Sequence, residues 1–269
     1  MTADQTRTTV TLTRSGHIAE VCLNRPDRRN AVDMSVFEGL ARIGEVLKSD
    51  PTLRAVILRG EGPHFCSGID TALFTANPDP KALIDRIMQR APGEDANVFQ
   101  KPSTVWQELE VPVIAVLQGV AYGAGLQLAL GADVRIAASD TRLSVMEIKW
   151  GLIPDMGLTT TLPRLLRADQ AKELLFTGRV VEAIEACQMG LVTRITNDPL
   201  EAARAMARDI AARNPDAIRR SKHLLNATWI AERAEALHLE ATLQAEVIGQ
   251  PNQIEAVMAN IQKRTPVFR

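Results

Sequence analysis

The sequence predicts an α/β fold in which strand–turn–helix units build parallel layers, closed at the C-terminal end by an all-helical region. Three observations lead there. Apolar runs at 55–59, 113–117 and 134–138 read as buried strands, and the first two deliver the chain into glycine-bearing turns. These units recur roughly fifty residues apart, the spacing of β/α layers rather than of hairpins. Beyond about residue 199 the texture changes to Ala/Arg/Glu-rich helical sequence.

Val10–Leu12 and Ile18–Leu23 form two short strands around a turn at Ser15-Gly16, and Pro26 forbids the second from continuing past Asn24-Arg25. From Asp33 to Lys48 the apolar residues Val36, Phe37, Leu40, Ile43, Val46 and Leu47 recur at helical spacing, with Asp33 as the cap. Residues 71–105, rich in Pro, Asp, Ala and Lys, hold one helix, Pro80 to Arg90, and read either as a pocket wall or as a plain surface connection. Four helices follow at 200–212, 216–226, 230–248 and 251–262. Ile230, Ala234, Leu237, Ala241 and Ile248 leave an apolar stripe that must be covered by the main domain or by another subunit.

At 269 residues the chain fits one main domain with a smaller appendage, here 1–199 and 200–269. Its 46% hydrophobic and 4% aromatic content points to a core of Ala, Val, Leu and Ile. With 31 basic and 32 acidic residues there is no global field to attract nucleic acid or an acidic membrane. Cys22, Cys66 and Cys187 lie far apart without a CxxC pair, which indicates neither a disulfide framework nor a zinc site and fits the reducing cytoplasm. The first dozen residues are polar and carry Asp4 with no apolar run behind them, unlike a secretory signal. Residues 111–132 contain no charge, yet Pro112, four glycines, Gln118 and Gln127 interrupt them, so a buried strand–turn–helix explains them better than a membrane span.

The chemistry concentrates in the two turns, Phe65-Cys66-Ser67-Gly68-Ile69-Asp70 and Gly119-Val120-Ala121-Tyr122-Gly123-Ala124-Gly125-Leu126-Gln127. Each can leave a backbone N–H free, and two converging amides make an oxyanion hole. With Asn24-Arg25-Pro26, Asn30-Ala31, Glu147 leading into Gly151-Leu152-Ile153-Pro154, Thr177-Gly178, Gly190-Leu191-Val192 and Lys263-Arg264, in that order, the chain resembles the crotonase (enoyl-CoA hydratase/isomerase) superfamily. The resemblance implies a spiral of ββα units and an acyl-CoA thioester held by the N–H groups of Ile69 and Ala124. No cofactor is implied beyond the coenzyme A carried by the substrate. It also implies trimers, often paired into hexamers, with the helical tail at the contacts. Arg25 and Lys263 are the basic residues implied near CoA, and the backbone around Ser67, Gly68 and Asp70 is implied to run along it.

Proton movers are needed beside such a hole, and Glu147 and Asp155 are the carboxylates set among apolar neighbours near the motifs. Hydratases of this family use two glutamates, and the first of these positions is Gln127, an amide that holds water but moves no proton. The dienoyl-CoA isomerase branch is similar in carrying a glutamate matching Glu147 and an aspartate matching Asp155, although its third carboxylate falls at Gln127. Isomerisation is therefore the favoured expectation, with hydration by Glu147, thioester hydrolysis or acyl-CoA binding without turnover as alternatives. A Ser67–His64 couple is too tightly spaced for a catalytic triad, and Cys66 reads as packing. No dinucleotide fingerprint, P-loop or metal-ligand cluster is present.

Overall fold

The computed structural model describes residues 8–73 and 79–269. The start of the polar N-terminal stretch and residues 74–78 of the expected pocket-wall segment lie outside the described residues. In chain order the strands are β1 (Val10–Ser15), β2 (Ile18–Leu23), β3 (Ala55–Gly60), β4 (Val113–Leu117), β5 (Val120–Tyr122), β6 (Val134–Ala137), β7 (Arg142–Ser144), β8 (Val181–Glu182) and β9 (Arg194–Ile195). The helices are α1 (Met34–Lys48), α2 (Pro80–Met88), α3 (Lys101–Glu108), α4 (Ala124–Leu130), α5 (Leu158–Thr161), α6 (Ala168–Thr177), α7 (Ala183–Met189), α8 (Pro199–Ala211), α9 (Pro215–Thr228), α10 (Arg233–Val247) and α11 (Pro251–Gln262).

Six strands form one sheet in the order β1-β2-β3-β4-β6-β9; only the β1/β2 hairpin is antiparallel. Its side chains alternate between two apolar layers. Val56, Leu58, Val113, Ala115 and Leu117 enter the main core, while Ile57, Ile114, Val116 and Ile136 face α8 through the small residues Ala203 and Ala207. Both faces are covered, which is why these strands read as unbroken apolar runs. Helix α1 buries Val36, Phe37, Leu40, Ile43 and Leu47, and the Asp33 carboxylate caps it by accepting the Val36 N–H at 3.0 Å.

A second, three-stranded sheet, β5-β7-β8, gives the spiral its other wall. The chain steps from β4 into β5 at Gly119, where φ is +59° and a Cβ would lie 2.3 Å from the Pro63 carbonyl oxygen, so only glycine fits. β6 likewise continues into β7, and Cys66 bridges to Ala121 so that the chain after β3 also joins this wall. Each long strand thus hands over to a short, differently directed one. This is the expected spiral of ββα units.

The uncharged stretch 111–132 is β4, β5 and α4, and among the described residues no helix is long and apolar enough to cross a membrane. The helical texture does begin at residue 199, but its first helix, α8, packs on the large sheet and joins the core of the spiral. Helix α10 starts at Arg233 instead of 230, because Thr228 to Ala231 closes a turn (Ala231 N–H to Thr228 C=O, 3.1 Å). Within one chain this helix buries Leu243 and Val247, and the stripe Ile230, Ala234, Leu237 and Ala241 stays exposed.

Candidate active site

The amide of Ile69 is left free by strand geometry. Val32 forms a parallel bridge with Ile69, accepting from Asp70 N–H (2.9 Å) and donating to Gly68 C=O (2.8 Å), so the intervening N–H of Ile69 faces the other way. On the far side of the turn, Cys66 donates to Val120 C=O and accepts from Tyr122 N–H, both at 3.0 Å. Gly68 makes the bend with φ of +103°, and a Cβ there would approach the Tyr122 carbonyl oxygen to 3.1 Å. Cys66 itself is fully buried, and burial pushes its thiol up to about 12, so it packs and does not act as a nucleophile.

Ala124 is the first residue of α4, where helix geometry offers its N–H no acceptor. Gly123 before it has φ of +49° and donates to Ser144 C=O at 2.9 Å, with no side-chain cap. Gly125 presses α4 against the first turn: a Cβ there would lie 2.6 Å from the Cys66 carbonyl oxygen and 2.7 Å from Cys66 Cβ. Ile69 and Ala124 consequently line one cavity of about 280 Å³, together with Ser67, Gly68, Asp70 and Glu147. Among the described residues, neither amide has a hydrogen-bond acceptor.

Glu147 opens a short 3₁₀ turn, Glu147–Trp150, and its carboxylate sits over the second glycine turn; a Cβ on Gly123 would come within 3.3 Å of Oε1. Gln127 Nε2 donates to Glu147 Oε1 at 2.7 Å, whereas Oε2 is buried without a partner. Burial pushes the Glu147 carboxyl above the ordinary range, the charge of Asp155 adds to this, and the Gln127 hydrogen bond opposes it. Gln127 is 3% exposed, and its Oε1 accepts the Met156 N–H at 2.9 Å. Those two partners fix which end of the amide is which.

Asp155 lies in the loop after that turn. It is exposed and is not among the residues lining the cavity, although the protein packed beside its carboxyl raises its pKa too. Arg25 is committed elsewhere: its guanidinium donates to Asp70 Oδ2 (2.9 Å), Asp33 Oδ2 (3.1 Å) and the Ala31 carbonyl. Burial would raise Asp70, but the Ala72 N–H and Arg25 outweigh it and hold its carboxyl low. Lys263 caps the end of α11 with φ of +52° and lines a separate surface cavity bounded by α8 and the C-terminal segment. The structure thus brings Glu147, Gln127, Ile69, Ala124, Ser67, Gly68 and Asp70 together, sets Asp155 beside them, and leaves Arg25 and Lys263 off the cavity wall.

Arg28, Thr71 and Trp150 also line the cavity and carry no motif signal. The run Pro26-Asp27-Arg28-Arg29 holds the clue to the first, since Pro26 starts a 3₁₀ turn that lifts Arg28 beside the first glycine turn. His64 Nδ1 is buried without a hydrogen-bond partner among the described residues. Among the described residues no cluster of three or more His, Cys, Asp or Glu could hold a metal ion.

The chain is similar to known proteins over nearly its whole length. The sequence model of the family "Enoyl-CoA hydratase/isomerase" matches residues 13–269. Mouse mitochondrial methylglutaconyl-CoA hydratase (Mus musculus) is 31% identical over 92% of this chain and 78% of its own. Mouse mitochondrial Delta(3,5)-Delta(2,4)-dienoyl-CoA isomerase is likewise 31% identical, over 92% of this chain and 77% of its own. The crystal structure of an enoyl-CoA hydratase from Bacillus anthracis superposes with a TM-score of 0.88 at 29% identity, covering 97% of this chain and 98% of that one.

Proposed function

The chain belongs to the enoyl-CoA hydratase/isomerase family, and from that premise we propose that it shifts double bonds along an unsaturated acyl-CoA, with Glu147 and Asp155 as the proton carriers. The observation that carries this reading is Glu147 itself, a carboxylate with one oxygen fixed and one free beside two unoccupied amides. Glu147 Oε2 takes a proton from the carbon next to the thioester. The electron pair left behind spreads onto the thioester oxygen, which accepts hydrogen bonds from Ile69 and Ala124. Asp155, protonated at that moment, returns a proton at the far end of the conjugated system, so the product has the formula of the substrate and the two acids have exchanged protonation states. Burial raises both carboxyls above the ordinary range, the direction these roles require.

Hydration is less favoured because Gln127 stands where hydratases of this family carry the first of their two glutamates, and an amide, here bonded to Glu147 and to the Met156 N–H, moves no proton. Asp155→Asn separates the two readings. It is expected to slow migration of a 3,5-dienoyl-CoA by about 10²-fold while altering the hydration of crotonyl-CoA little. Equal rates of migration in variant and wild type would remove Asp155 from the mechanism.

For the CoA portion, the backbone at Ser67 and Gly68 supports a path along the cavity mouth, with Arg28 in reach of a phosphate and Arg25 acting indirectly by holding Asp70. The three free cysteines support a reducing compartment, the cytoplasm. Uncovered apolar residues support association into trimers or pairs of trimers: Ile230 is 84% exposed and Ile153 78%. Lys263 lies in the same C-terminal region, on a surface cavity separate from the one lined by Ile69 and Ala124. Sedimentation velocity at micromolar concentration is expected to give a species of three or six chains. A stable monomer would exclude this.

A further inference from the structure

We propose that Gln127 is a positioning residue that holds the proton carrier, the oxyanion hole and the Asp155 loop in one rigid unit. The inference rests on the reading of Glu147 as proton carrier and assigns no chemistry to Gln127 itself. Three contacts carry it. Gln127 stands on α4 one turn after Ala124, its own N–H donates to Gly123 C=O at 3.0 Å, and Gly123 and Ala124 form the second glycine turn. Its Nε2 donates to Glu147 Oε1. Its Oε1 accepts from the backbone of Met156, a buried residue directly following Asp155. One side chain, itself out of solvent, therefore sets the distance from the amide of Ala124 to the carboxylate of Glu147 and ties both to the segment that bears Asp155.

The chemistry of the contacts explains why an amide occupies this position. The site needs a donor toward Glu147 and an acceptor toward Met156 at every pH, and an amide offers both without titrating. A glutamate at 127 would still accept from Met156 but would set a carboxylate oxygen against Glu147 Oε1, and two carboxylates so placed share one proton. With the amide, Glu147 shares no proton with residue 127, and Oε2 is the carboxylate oxygen left without a hydrogen-bond partner. The other titratable or charged groups facing Glu147 are Asp155 from its loop and, across the cavity, Arg28 and Asp70.

The test is the pH dependence of kcat and kcat/KM for migration of 3,5-octadienoyl-CoA by the full-length protein, comparing wild type with Gln127→Glu and Gln127→Leu. In Gln127→Leu the loss of the donor should move the acidic limb of the profile to higher pH and lower kcat on the order of 10²-fold, with KM nearly unchanged. Gln127→Glu, close in shape and so the safeguard if the leucine variant misfolds, should replace the single acidic limb by two titration steps. An unmoved acidic limb in folded Gln127→Leu, or a single limb in Gln127→Glu, overturns the proposal. Glu147→Gln is run alongside: if it keeps full activity, the reading of Glu147 fails, whereas its loss of activity with unmoved limbs in the Gln127 variants sinks the clamp alone.

Discussion

Replacing Glu147 by Gln is expected to lower turnover of an unsaturated acyl-CoA by at least ~10²-fold, the loss that follows removal of a positioned acid–base group. Binding of a saturated acyl-CoA, measured by calorimetry, should be nearly unchanged, because the amides of Ile69 and Ala124 and the walls of the cavity remain. The same variant should lose activity yet gain stability relative to the wild type as pH rises. Glu147 is held above its ordinary value of 4.5. From that value up to the raised one, the folded protein binds more protons than the unfolded chain, so stability falls as pH rises through the window and the penalty is complete above it. The amide of the variant carries no such penalty. Its melting temperature should therefore gain on that of the wild type between mildly acidic and neutral pH, and the two curves should converge below the ordinary value. A variant that is inactive, unable to bind acyl-CoA and equally pH-dependent would mean that Glu147 holds the fold and does no chemistry.

Gly125→Ala should have the second largest effect, and for a different reason. The added methyl would lie 2.6 Å from the Cys66 carbonyl oxygen and 2.7 Å from Cys66 Cβ, atoms held in place because both the N–H and the C=O of Cys66 are hydrogen-bonded to β5. Relief requires α4 to move off the first glycine turn, which pulls the amides of Ile69 and Ala124 apart. We expect about 1–3 kcal/mol of destabilisation from the overpacking, or several degrees in Tm. Turnover should fall on the order of 10²-fold through misplacement of the hole. A variant with wild-type Tm and activity would show that the two turns are not held in register by this contact.

The parts of this fold that were legible in the sequence are those whose physics is local. Val113–Leu117 is buried on both faces, and its bounds as a strand follow directly from the apolar run. Asp33 caps α1 as its residue type and position predict. The small sheet was not legible, because β5, β7 and β8 are two or three residues long and no periodicity can develop over so short a span. The site divides in the same way. The free amide at Ile69 follows from a glycine turn beside a buried strand, but the double engagement of Gln127 depends on Met156, a partner distant in sequence that only the fold brings near. Arg25 shows the limit of reading charge from a motif. The resemblance implied a place near CoA, and the fold pairs its guanidinium with Asp33 and Asp70, supplied by two different segments.

The central claim is that the two acids move a proton and add nothing to the substrate. Incubating the purified protein with 3,5-octadienoyl-CoA and analysing the product by mass spectrometry and ultraviolet absorbance tests it most directly. The account predicts a product of unchanged formula whose double bonds are now conjugated with the thioester. A product heavier by one water, or free acid accompanied by released CoA, would contradict it.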